Sequence, residues 1–108
     1  MIIAVHSKVD DDCVTGGREY YLFDTGMATA LLILRAVELG LVAHPIAGYD
    51  EDKVKEAFGL DGEETVITLV IVGKHAASID PDLKPWQKEA EEERPERLPL
   101  EKFARIYS

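Results

Sequence analysis

The feature that most constrains this chain is a long helical stretch with almost nothing charged to offer water. Residues 20–39 read as a helix of strong helix formers without an internal proline, stopped by Gly40 as the residue just past its end. Asp24 falls near the first turn, where a carboxylate suits the helix dipole. From Gly26 to Leu34 no position carries a charge on any face. A helix that is apolar all round is buried all round. At about 1.5 Å per residue this one spans roughly 30 Å, and a chain of 108 residues has little else with which to cover it. A subunit interface along residues 20–39 is therefore expected.

The rest of the chain supplies a small sheet and a polar tail. Residues 1–6 are β-branched and apolar and read as a buried strand. Residues 7–19, with Asp10-Asp11-Asp12 and Gly16-Gly17, read as a mobile loop. Leu41-Val42-Ala43-His44 is extended and runs into Pro45, which disfavours helix before it. Ile46-Ala47-Gly48-Tyr49 reads as a loop. Asp50 then caps a short helix in which Val54, Ala57 and Phe58 keep helical spacing, and Gly59 closes it. Thr65 to Val72 is the clearest strand, nearly continuous in apolar and β-branched residues, so both its faces should be covered; Gly73 ends it. Beyond residue 79, Pro81, Pro85, Pro95 and Pro99 punctuate a charged stretch, which reads as an extended arm over 80–108 following a core over 1–79. Phe103-Ala104-Arg105-Ile106-Tyr107 alternates as an edge strand does. The order of elements gives an α+β sandwich on a small mixed sheet.

Charge narrows the function. Twelve basic residues against 21 acidic ones leave a net charge of -9. Phosphate backbones and anionic membrane surfaces both require basic excess on one face, so nucleic acid and membrane partners are not expected. The start of the chain lacks a basic n-region and an h-region, and no stretch is long enough for a membrane span, which points to a soluble cytoplasmic protein. Cys13 is the one cysteine, so no internal disulfide or multi-cysteine metal site exists, and its acidic surroundings disfavour a thiolate. His6, His44 and His75 lie far apart without metal-ligand spacing and read as structural or surface groups. Gly16-Gly17-Arg18 is too short for a phosphate loop and reads as a plain turn.

Two segments carry candidate chemistry. In Pro45-Ile46-Ala47-Gly48 a proline fixes the chain, a glycine permits close backbone approach, and a helix N-terminus follows at once. Backbone N–H groups there suit the edge of a planar, electron-rich ligand; an ordinary loop with an N-cap accounts for the same residues. Arg94 and Arg97 stand against the acidic arm, and an arginine fork suits phosphate; a solvated cluster with local glutamate partners is the competing account.

Taken in order, Asp24-Thr25-Gly26-Met27-Ala28, the apolar helix to Ala36, Glu38-Leu39-Gly40-Leu41, Pro45-Ile46-Ala47-Gly48-Tyr49-Asp50, Phe58-Gly59-Leu60, the Thr65–Gly73 strand and Arg97-Leu98-Pro99-Leu100-Glu101 resemble the C-terminal half of the FMN-dependent nitroreductase family. The resemblance covers residues 1 to about 105. It implies a nitroreductase-like sheet sandwiched by helices, in truncated form, and an intertwined homodimer whose long helix packs at the interface and whose arm embraces the partner. It also implies FMN as cofactor, NAD(P)H as reductant, and nitroaromatics, quinones or similar small electron acceptors as substrates. In such a protein Pro45, Ile46, Ala47 and Gly48 lie against the flavin ring, Arg97 meets the FMN phosphate and Arg94 assists. The flavin carries the redox chemistry while the protein supplies binding and electrostatics.

The chain also departs from the family pattern. No counterpart exists for the N-terminal half that grips the phosphate and ring, and the polar Gln-Asn pair common in the long helix is here Ala30-Leu31. These departures keep two other functions in view: a non-catalytic dimeric module, and a subunit that completes a flavin site with a separate N-terminal half.

Overall fold

The computed structural model describes residues 1–107. Ser108, the last residue of the expected arm, lies outside the described residues. The chain divides into two compact units, Met1–His75 and Ala76–Ser108.

The first unit holds β1 (Ile2–Ser7), a 3-10 turn (Val9–Asp11), β2 (Val14–Thr15), β3 (Arg18–Glu19), α1 (Tyr21–Glu38), β4 (Val42–Ile46), α2 (Glu51–Phe58) and β5 (Thr65–Gly73). Three strands form one sheet in the order β1-β5-β4, and both pairings are antiparallel. The α+β architecture expected from the sequence is present, and within it the sheet is antiparallel rather than mixed, because β1 and β4 both run against the central strand.

The central position of β5 follows from its composition. Val70 is fully buried, and Val72 and Ala36 form the core with it; Ile3, Val5, Leu32, Ile33, Leu41 and Ala43 pack around them. Helix α1 thus covers one face of the sheet. On the opposite face Leu69 is buried while Ile71 is exposed, so the expectation of two covered faces on β5 holds fully for one face and in part for the other.

Helix α1 ends as its sequence dictates. Gly40 takes a φ of 74°, the left-handed region that favours glycine. The Leu41 amide donates to the Ala36 carbonyl at 3.0 Å and the Gly40 amide to Val37 at 2.9 Å, the paired bonds of a Schellman stop. Helix α2 stops in the same way, with Gly59 at φ 67°. Its Asp50 cap accepts from the Lys53 amide at 3.2 Å.

Four expectations need correction. Residues 7–19 are not merely a loop. Gly16 and Gly17, at φ 59° and 76°, make a two-residue turn joining β2 and β3, which is what a Gly-Gly pair with positive φ at both positions does in a hairpin. Pro45 and Ile46 belong to β4 rather than to the loop after it; β4 is an edge strand, and an edge tolerates a residue without an N–H. Residues 80–108 are not wholly extended: Pro85 opens α3 (Pro85–Glu92), and the Gln87 side chain accepts from the Lys84 amide at 3.0 Å. Phe103–Tyr107 forms no strand among the described residues; a 3-10 turn over Leu100–Lys102 precedes it, and its alternation has no ladder partner.

The expected uncharged helix is present with two apolar faces. Tyr21, Leu32, Ile33 and Ala36 turn toward the sheet. Phe23, Met27, Leu31, Leu34 and Val37 lie on the opposite side, and Leu31 and Leu34 are 68% and 60% exposed. Helical spacing sets these five on one continuous stripe, and all five are exposed among the described residues.

Candidate functional site

The segment from Pro45 to Asp50 links the end of β4 to the start of α2. Pro45 stands opposite Val70, and Ile46, the last residue of β4, stands opposite Leu69. The Ile46 carbonyl accepts from the Thr68 hydroxyl at 2.9 Å. The Ala47 carbonyl accepts from the Tyr49 amide at 3.2 Å, so the chain reverses within three residues. That turn leaves the amides of Ala47 and Gly48 without an acceptor among the described residues, and both residues are exposed. Buried amides are almost always paired; two adjacent exposed ones on a fixed turn are available to a ligand.

Gly48 adds a second observation. Its φ is not positive, and a Cβ built there would meet no atom of the chain within 4 Å. Neither backbone conformation nor packing therefore requires glycine at this position. Open space beside two unpaired donors suits a flat ligand edge approaching the main chain closely.

The flanks are anchored by charge and hydrogen bonds. Asp50 caps α2, and the Lys53 ammonium and amide hold its carboxyl below the usual carboxylate range. The Glu51 carboxylate accepts from the Val66 amide at 3.1 Å and pairs with the Lys55 ammonium at 3.1 Å; both contacts lower its pKa, the Val66 amide most. The Tyr49 hydroxyl donates to the Val66 carbonyl at 2.6 Å. Burial of that phenol, and then the Glu51 charge, push its pKa up, so it remains a donor at neutral pH.

The structure places Pro45 and Ile46 at the end of β4 and Ala47 and Gly48 on the turn that follows, all in the first unit. It places Arg94 and Arg97 in the second unit, where both are exposed and neither forms an ion pair among the described residues. Arg94 lines an open groove of about 380 Å³ with Trp86, Pro95 and the carboxylates of Glu89, Glu93 and Glu96. Sequence reasoning passed over Tyr49, Glu51 and Thr68, which hold this turn against β5. The signal for Glu51 was its place in the first turn of α2; nothing in the local sequence marks the reach of Tyr49 or Thr68 across to another strand. Among the described residues, no group of His, Cys, Asp and Glu is arranged to hold a metal ion. No described helix is long and apolar enough to cross a membrane.

Residues 1–74 match the model of the nitroreductase family. The chain belongs to the nitroreductase family. Over 60 residues it is 42% identical to YdgI of Bacillus subtilis (strain 168), a protein named as a candidate NAD(P)H nitroreductase; that segment is 55% of this chain and 29% of the relative. It is 40% identical over 62 residues to an uncharacterised 15.4 kDa protein of Mycolicibacterium smegmatis, covering 55% of this chain and 42% of that one. The matched segments thus span less than half the length of these relatives. Among solved structures, a nitroreductase family protein of Clostridium difficile superposes with a TM-score of 0.69 at 22% identity, over 99% of this chain and 59% of that one. A nitroreductase candidate from Exiguobacterium sibiricum, crystallised in complex with FMN, gives a TM-score of 0.55 at 28% identity over 80% and 35%. This nitroreductase-family chain therefore shares the fold of its relatives across both the sheet and the apolar helix.

Proposed function

We propose that this chain acts as an FMN-dependent NAD(P)H oxidoreductase of the nitroreductase type, reducing nitroaromatics, quinones or similar small electron acceptors, and that it works as a homodimer. The observation that carries the reading is the pair of unpaired, exposed amides at Ala47 and Gly48 on a fixed turn of a nitroreductase-family unit. The FMN-bound relative from Exiguobacterium sibiricum supports the choice of cofactor, and the names of relatives support NAD(P)H as reductant.

The donor set of the chain fits FMN in kind. Ala47 and Gly48 would present N–H groups to the edge of the ring, with Pro45 and Ile46 setting the height of the turn. Arg97, with Arg94 beside it in sequence, would meet the phosphate: both guanidiniums are exposed and free of ion pairs among the described residues. When bound, FMN supplies hydride acceptance and donation. The chain itself supplies pre-set donors, which cost no reorganisation when negative charge develops on the ring. The apolar stripe on α1 would exclude water once a partner covers it.

The stripe also favours a second reading, in which a different chain covers it and the two together complete a flavin site. The test is FMN titration of Arg97→Ala beside Arg18→Ala. Arg97→Ala is expected to weaken FMN binding far more than Arg18→Ala, whose side chain lies over the Tyr20 ring in the β2–β3 hairpin. Equal retention by the two variants would remove the phosphate role, and a single heterologous partner recovered in place of the homodimer would favour the second reading.

A further inference from the structure

The turn that carries the two free amides is held by side chains that take over where a strand stops. Strand β4 ends at Ile46, opposite Leu69. Against β1, the register of β5 runs from Val5–Thr68 to His6–Val66 and skips Ile67, which marks a bulge. A bulge re-aims the main-chain groups that follow it and is frequent beside functional sites. Here both main-chain groups of Val66 are taken by side chains, one from the β4–α2 connection and one from the first residue of α2. The Tyr49 hydroxyl donates to its carbonyl at 2.6 Å, and the Glu51 carboxylate accepts from its amide at 3.1 Å. Two residues along β5, the Thr68 hydroxyl donates to the Ile46 carbonyl at 2.9 Å. Three bonds thus bracket Ala47 and Gly48 on both sides, and none of them uses the amides of those two residues.

We propose that Tyr49, Thr68 and Glu51 are positioning residues that fix the Ala47 and Gly48 amides as a donor pair for the flavin ring. This rests on the reading that the turn lies against FMN. None of the three need touch the ligand. Their effect is preorganisation: a turn already ordered loses less freedom on binding, and its donors stay aimed when charge develops. The bulge at Ile67 lies directly beside Val66, which keeps His6 of β1 as its register partner while Tyr49 and Glu51 take its two main-chain groups.

The test uses the full chain and FMN. Tyr49→Phe removes one hydroxyl and keeps the ring; Thr68→Val removes the other; Thr68→Ser restores it. Backbone ¹⁵N relaxation of cofactor-free protein reads the order of Ala47 and Gly48. FMN titration and the midpoint potential of bound FMN read the donor pair. Tyr49→Phe and Thr68→Val are each expected to lower the order parameters at Ala47 and Gly48, weaken FMN by about tenfold, the size of one lost net hydrogen bond, and make the potential more negative. Thr68→Ser is expected to behave as the wild type. Unchanged order parameters in both hydroxyl-deleted variants would overturn the proposal. So would lowered order with unchanged FMN affinity and potential. A wild-type protein that binds no FMN would overturn the flavin reading itself, and the relaxation data would then assign the three bonds a purely structural role.

Discussion

Replacing Leu31 with alanine separates what the chain does for itself from what a partner does for it. Leu31 is 68% exposed and faces away from the sheet, so within one chain the substitution removes little packing. Exposed substitutions of this kind usually change stability by no more than about 0.5 kcal/mol. In the proposed homodimer the same side chain is buried against the second copy. Three carbons are lost, worth about 0.8 kcal/mol each on burial, and about two thirds of that surface is available to be covered. Each subunit then loses about 1.6 kcal/mol of association energy, and the symmetric dimer about 3 kcal/mol. That corresponds to roughly a 200-fold weaker dimer. Sedimentation over a wide concentration series reads the dissociation constant directly, and urea unfolding at concentrations where both proteins are monomeric reads the stability of one chain. The expected result is a large shift in the first and almost none in the second. An unchanged dimer constant, or a wild type that stays monomeric throughout, would refute the interface.

Three further outcomes follow from the fold. Val70→Ala removes two carbons from the one fully buried side chain of β5 and is expected to destabilise by about 2 kcal/mol or more, read by the urea midpoint at constant slope; a change within experimental scatter would mean that Ala36 and Val72 are not packed on it. Gly59→Ala places a side chain at φ 67° with no atom within 4 Å, so its cost is conformational alone, about 1 kcal/mol, and an unaltered melting temperature would contradict the left-handed stop of α2. Acid sensitivity follows from Asp50 and Glu51, whose carboxyls are held below the usual range by Lys53 and by the Val66 amide with Lys55. A lowered folded pKa contributes stability that is fully present above the unfolded value, near pH 4, and is lost as pH falls through the folded value. Asp50→Asn keeps a capping side chain but removes the titration, so its melting temperature is expected to fall less steeply below about pH 4; an acid limb identical to that of the wild type would contradict this.

How much was legible in the sequence depended on the range of the interaction. Local signals succeeded: Gly40 and Gly59 mark left-handed stops, Asp50 marks a cap, and the run from Thr65 to Val72 marks the central strand. The second apolar face of the long helix was legible for the same reason, since a stretch without charge leaves apolar side chains on every side. Pro85 at the start of α3 was read as punctuation of an extended arm, although proline suits the first turn of a helix as well as it breaks later ones. Gly16-Gly17 reads as a plain turn and is one, but the stretch around it reads as a mobile loop where two positive φ values close the β2–β3 hairpin. The candidate site was legible as a main-chain turn but not as a supported one. Tyr49 and Thr68 act across the gap between β4 and β5, 17 and 22 residues along the chain from their partners, and no local pattern announces such a reach.

In the proposed function this nitroreductase-family chain forms a flavin site from its own residues. The most direct test is the visible absorbance spectrum of the purified protein after incubation with FMN and desalting. A flavin band retained in proportion to protein, and diminished by Arg97→Ala, is the predicted result. A folded protein that emerges colourless would contradict it.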